Sequence, residues 1–112
     1  MNSTQQQAEQ SEMLETLVIT RAQPRTMGVG GVWVSGTIAG HRFEALVFEG
    51  HAADPGFELE GSRISKLWLA VAPRGDVVAS FERGWDLEPT TTAAAAIVDL
   101  FIAGLAEHVF GH

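Results

Sequence analysis

The sequence predicts an α+β fold: an antiparallel meander of four to five strands with one C-terminal helix packed on one face. Two observations carry this. Residues 32–48 and 63–83 each hold two β-rich runs separated by a short turn, and the segment after Pro89 opens with threonines and alanines and continues with an apolar stripe. β-branched and aromatic runs broken by turn residues form hairpins. Apolar residues recurring every three or four positions form a helix with one side to bury. A sheet with an apolar face is what that helix can bury itself against.

Residues 1–13, rich in Gln, Ser and Glu, read as a disordered polar tail, leaving 14–112 as a single domain. "LETLVIT" (14–20) turns β-branched toward its end and reads as a fifth strand. A helix running into Met13, Leu14, Leu17 and Val18 competes with it, so residues 5–20 stay open between helix and strand. Pro24 and the glycines that follow mark 21–31 as a loop. The first hairpin runs Val32 to Ile38, turns at Ala39-Gly40, and returns Arg42 to Phe48; Gly36 inside it marks a bulge or a close backbone approach. Residues 49–62 form a loop with the turn signature Asp54-Pro55-Gly56. In the strand 63–71, Ser65, Leu67, Leu69 and Val71 should face one side and Ile64, Lys66, Trp68 and Ala70 the other. "APRGD" turns the chain into the strand 77–83. In the helix, a threonine after Pro89 caps the start, Val98, Phe101, Ile102, Leu105 and Val109 form the stripe, and Gly111 stops it.

Composition bounds the function. The 112 residues fit one domain that buries roughly two-thirds of its unfolded surface. No cysteine is present, so disulfides, thiolate metal sites and cysteine nucleophiles are excluded. The polar N-terminus is no secretory signal, and no apolar run approaches the ~20 residues of a membrane span, so the expected setting is cytoplasmic with no membrane partner. Fourteen acidic and seven basic residues give a net charge of -7, and the cations form no block, which argues against direct nucleic-acid binding.

Chemistry is hard to assemble. "GVGG" (28–31) lacks the third glycine of a dinucleotide fingerprint and precedes a strand. His108 and His112 have a chelating spacing but flank Gly111 at a fraying end, and Glu58 and Glu60 read as a solvated loop pair. No catalytic residue, metal site or cofactor is assigned. The candidate binding residues are Arg63 and Lys66 in "GRISKLW", and Arg83, Trp85 and Asp86 in "FERGWDLEP". Trp85 has two readings. As a corner brace it covers the end between helix and sheet, with Asp86 bonding the turn and Arg83 pairing with Asp86 or stacking on the indole. As part of an exposed patch with Arg83 and Arg63 it forms a docking site, since Trp and Arg are enriched in hot spots.

"W.SGTIAGHRFEALVFE", "GSRISKLWL" and "FERGWDLEP", followed by a C-terminal helix, resemble a family of small uncharacterised bacterial proteins met on phages, plasmids and conjugative elements. The resemblance covers roughly residues 31 to 105, implies this fold and a mobile-element setting, and transfers no catalytic residue. The expected function is a small acidic, non-enzymatic protein-interaction module with a protein partner and a possible homodimer. In the mobile-element version it inhibits a host defence or nucleic-acid-handling protein. The alternative is a small-molecule-binding domain or minor enzyme with a pocket between helix and sheet.

Overall fold

The structure, a computed structural model, describes residues 11–26 and 30–112. Residues 1–10 of the expected tail, and Gly28 and Val29 of the glycine-rich loop, lie outside the described residues. Six strands are described: β1 (Val18–Pro24), β2 (Val32–Ile38), β3 (His41–Val47), β4 (Ile64–Val71), β5 (Val77–Glu82) and β6 (Trp85–Leu87). They form one sheet in chain order, each neighbouring pair antiparallel. The helix α1 (Thr92–Phe110) covers one face.

The fold class is as expected, but the sheet has six strands where four or five were predicted. The added strand is β6, inside the segment read as a corner. Three residues are too few to display a two-residue period, and the pairing of Phe81 with Trp85 is made by a turn in which Arg83 (φ 54) and Gly84 (φ 146) both take positive φ. At the other edge, residues 11–15 are helical and the strand begins at Val18, so each assignment weighed for this stretch holds part of it. β1 then runs to Pro24, into the predicted loop; proline is tolerated there because β1 is an edge strand. Gly36 is the close approach that a lone strand glycine signals. A Cβ there would collide with the Val18 carbonyl oxygen and stand 3.0 Å from Ile19 Cα.

The β2–β3 turn is Ala39 (φ 48) and Gly40 (φ 74), the two left-handed residues of a tight hairpin, and β3 starts at His41. Alternation puts Val34, Ile38, Phe43, Ala45, Val47, Leu67, Leu69 and Phe81 under α1, which contributes Ala94, Ile97, Val98, Phe101 and Leu105 to the same core. Phe43 and Phe101 meet with ring centroids 4.8 Å apart. The helix starts where Thr91 Oγ1 accepts the Ala94 N–H at 3.0 Å and stops at Gly111 (φ 81). By length and composition these 19 residues could cross a membrane; here the Ile97, Phe101 and Leu105 side is buried against the sheet.

The expected alternation in β4 fails at its start. Leu46 pairs with Lys66 but Val47 pairs with Ile64, so Ser65 is an extra residue in a bulge and Ile64 joins Leu67 and Leu69 in the core. The loop 48–63 also contributes to the core. Its Leu59 is fully buried, and the Leu59 N–H donates to the Ile64 carbonyl at 2.8 Å.

Candidate functional site

The helix covers one face of the sheet and leaves the other open. Strand alternation sends Trp33, Arg42, Glu44, Leu46, Lys66, Trp68, Ser80 and Glu82 to that second face. Leu46 is 2% exposed yet lies outside the main core, consistent with a place beneath the larger side chains of this face.

At one end of the face the β4 bulge and the 48–63 loop build a pocket of about 280 Å³. Its cations are Arg25, Arg63, Lys66 and Arg83, its aromatic walls are Phe48 and Phe57, and Ser65, His51 and Glu58 complete it. Bulges re-aim side chains, and this one is joined by Arg63 and Arg83, both in the left-handed region at φ 67 and 54. Such strain persists only where surrounding contacts hold it. The Arg63 carbonyl accepts the Phe48 N–H at 2.8 Å, and the Ser65 carbonyl accepts the Arg83 N–H at 3.0 Å. A groove of about 320 Å³, lined by Trp33, Arg42, Trp68 and Glu82 among others, continues from the pocket across the sheet, and Lys66 lines both.

Charge is sorted. Six of the seven cations, Arg21, Arg25, Arg42, Arg63, Lys66 and Arg83, line these two hollows or the shallow one beside Trp33, and the seventh, Arg74, sits in the β4–β5 turn. Among the described residues three carboxylates line them: Glu44, Glu58 and Glu82. The cations rest on rings: Arg25 over Phe48 at 5.4 Å, Arg42 over Trp68 at 5.0 Å, Lys66 over Trp33 at 5.9 Å and Arg83 over Phe57 at 5.5 Å. Arg42 and Arg83 make no side-chain hydrogen bond or ion pair among the described residues, and Arg42 Nε is buried without a partner. Stacking fixes a guanidinium while leaving in-plane N–H donors for a planar or tetrahedral anion.

The predicted site residues divide. Arg63, Lys66 and Arg83 come together at the pocket. Arg63 is its back wall and is occupied: Nη1 donates to the Glu49 carbonyl at 2.8 Å and Nη2 to the main-chain oxygen of His112 at 2.6 Å. Lys66 stands 3.8 Å from Glu82. Arg83 rests on Phe57, not on Asp86 or the indole as weighed from the sequence. Trp85 and Asp86 line neither hollow; Trp85 is half-buried, edge-on to Phe81 at 5.2 Å, and packs against the core. Trp85→Ala is therefore expected to cost about 2 kcal/mol, below the ~3–5 of a fully buried aromatic, with a lower urea midpoint and unchanged ligand binding. The sequence reading missed Arg42, Trp33, Phe48 and Phe57, whose joint signal exists only once the strands are in register.

His51 Nδ1 lies 3.0 Å from the buried carboxylate of Glu58, an imidazole–carboxylate pair of the kind that orients a general base. Ser65 lines the same pocket, and among the described residues no hydrogen bond joins it to His51. His112 is bonded to Glu49 at 3.1 Å, and among the described residues no three His, Asp or Glu side chains are grouped to hold a metal.

Residues 32–106 match the family model described as Domain of unknown function (DUF7678). A search of curated proteins and of solved structures finds no match. The matched span runs from the first residue of β2 into the C-terminal part of α1, so it contains Arg42, Arg63, Lys66, Arg83 and both face tryptophans and leaves out Arg21 and Arg25. A match over that much of the chain places the protein in the DUF7678 family, whose function is unknown.

Proposed function

We propose that the protein is a non-catalytic binding module that holds an anionic ligand on its uncovered sheet face and in the adjoining pocket. The observation that carries the reading is the sorting of charge: six of seven cations line the open face or the pocket at its end, in a chain whose net charge is -7. The smallest dimension of the molecule is 25 Å. That is about three Debye lengths at physiological ionic strength, so the carboxylates of the far side are screened from a ligand on this face. In this interaction the module supplies the cations. In the mobile-element setting that the resemblance implies, the target is a host component rich in anionic groups.

The pocket lies at the end of the sheet, not between sheet and helix. At about 280 Å³ it falls just below the ~300–1,000 Å³ of sites that enclose a drug-sized molecule. It suits one anionic group of a larger ligand better than a whole ligand.

Heparin, a soluble polyanion, tests the reading without knowledge of the ligand. The wild-type chain, despite a pI near 4.9, is expected to be retained on immobilised heparin at low salt. Arg83→Glu should elute earlier. Arg74→Glu, which changes net charge equally but lies off the face, should elute with wild type. Flow-through of the wild type, or equal losses in the two variants, would count against a sorted anion-binding face.

A further inference from the structure

We infer that the anionic ligand is a single-stranded nucleic acid, its bases packed against Trp33 and Trp68 beside the Lys66 and Arg42 side chains that rest on those rings, and its backbone running from Arg42 past Lys66 to Arg83. This rests on the anion-binding reading above and adds the chemical class. It departs from the expectation of no nucleic-acid contact, which rested on cations scattered in the sequence.

Position supports it. Arg42 pairs with Ala70 on β4, four residues from Lys66, with Trp68 midway between them on the same strand. At ~3.3 Å per residue that places Arg42 about 13 Å from Lys66 along the strand direction. Trp33 pairs with Leu46, which pairs with Lys66, so Trp33 lies level with Lys66 two strands away. Arg83 stands beyond Lys66, over Phe57, which is 45% exposed. Arg42, Lys66 and Arg83 therefore follow one another along the face, with Trp68 between the first two, Trp33 to the side of Lys66 and Phe57 under Arg83, and Lys66 joins the open groove to the pocket. Single strands are held by this combination, a positive track for phosphates with rings on which bases stack. An open sheet face with exposed aromatics is a platform for unpaired bases. A small acidic molecule uses no second tryptophan about 12 Å away, two strands across and two residues along, and an acidic peptide offers the rings nothing to stack on. Glu44, between Ser35 and Trp68, keeps phosphates off the middle of the sheet and leaves that area to bases.

The test is fluorescence anisotropy of the full chain with labelled oligothymidylate and oligouridylate of about twelve nucleotides, within the usual site size. The same thymidylate in duplex form and polyglutamate serve as comparisons. Single strands are expected to bind and to quench tryptophan emission. The affinity should fall with salt with a logarithmic slope of about -2 to -3, as three or four neutralised phosphates require. Trp33→Ala and Trp68→Ala should each weaken binding about tenfold, and Trp33→Phe much less, with thermal unfolding midpoints showing each variant folded. A preference between the two oligonucleotides decides whether DNA or RNA is the source. Duplex binding as tight as single-strand binding, or folded alanine variants that bind like wild type, overturns the inference. Heparin retention with polyglutamate competing and no oligonucleotide bound also overturns it while leaving the anion-binding face standing. Loss of heparin retention as well removes both.

Discussion

Phe101→Ala is expected to lower the free energy of unfolding by about 3–5 kcal/mol. That is a large share of the ~5–15 kcal/mol available to a domain of this kind. Phe101 is 2% exposed and reaches from α1 to Phe43 on β3. The loss has two parts, the transfer energy of the ring and the cavity left between a rigid sheet and a helix anchored at both caps, Thr91 and Gly111. Neither neighbour can close the gap without moving a whole element. Urea unfolding should show a lower midpoint with an unchanged slope. Phe101→Leu, which keeps most of the volume, should cost much less, about 1–1.5 kcal/mol. A slope that fell with the midpoint would mean that the native state had loosened, not that one contact was lost. Because Phe101 sits on the covered face, heparin retention of folded Phe101→Ala should match wild type. The same separation explains why the sheet can give one face to stability and the other to a ligand.

What the sequence reveals follows from the range of each signal. The helix was legible in its threonine cap, its apolar stripe and Gly111, because all three act within a turn or two. The two hairpins were legible because Ala39-Gly40 and "APRGD" sit between long β-rich runs. β6 was not, since three residues carry no period, and neither was the inward turn of Ile64, since a bulge is set by pairing with β3. Leu59 lies between two glutamates in a loop with no regular period to mark it as core, yet it is fully buried. The same distinction governs the candidate site. "RISKLW" and "RGWD" stood out because Arg and Trp are close in sequence. Arg42 and Trp68 lie 26 positions apart, and Arg83 and Phe57 likewise, so their contacts come from register and loop closure. A count of charges gives -7 and argues against nucleic-acid binding, whereas alternation puts Arg21, Arg42 and Lys66 on the open face and loops and turns bring Arg25, Arg63 and Arg83 to the pocket at its end.

Arg63 joins these two themes, and its replacement should be the most destabilising change at the pocket. The side chain is 10% exposed, and its guanidinium bridges the Glu49 carbonyl at the start of the loop to the main-chain oxygen of His112 just past the helix. The third neighbour, Glu107 at 3.6 Å, is 60% exposed, and so contributes little through solvent screening. Charged hydrogen bonds contribute about 1.5–3 kcal/mol each. The two share one guanidinium and do not add in full, so Arg63→Ala is expected to cost about 2–4 kcal/mol. Arg63→Lys cannot reach both oxygens from one ammonium and should recover little. The backbone supplies a sharper signature. At φ 67 a Cβ is strained, by about 1 kcal/mol or more relative to glycine. Arg63→Gly should therefore be more stable than Arg63→Ala, the reverse of the order at an ordinary strand position. Urea midpoints of the two variants decide it: glycine below alanine would mean that the left-handed conformation is not held in solution. The clamp also anchors the loop that carries Phe57, the ring under Arg83. Arg63→Gly should thus elute from heparin earlier than Arg74→Glu, although it removes one charge where the other reverses one, because it loosens the stack that holds a second cation in place.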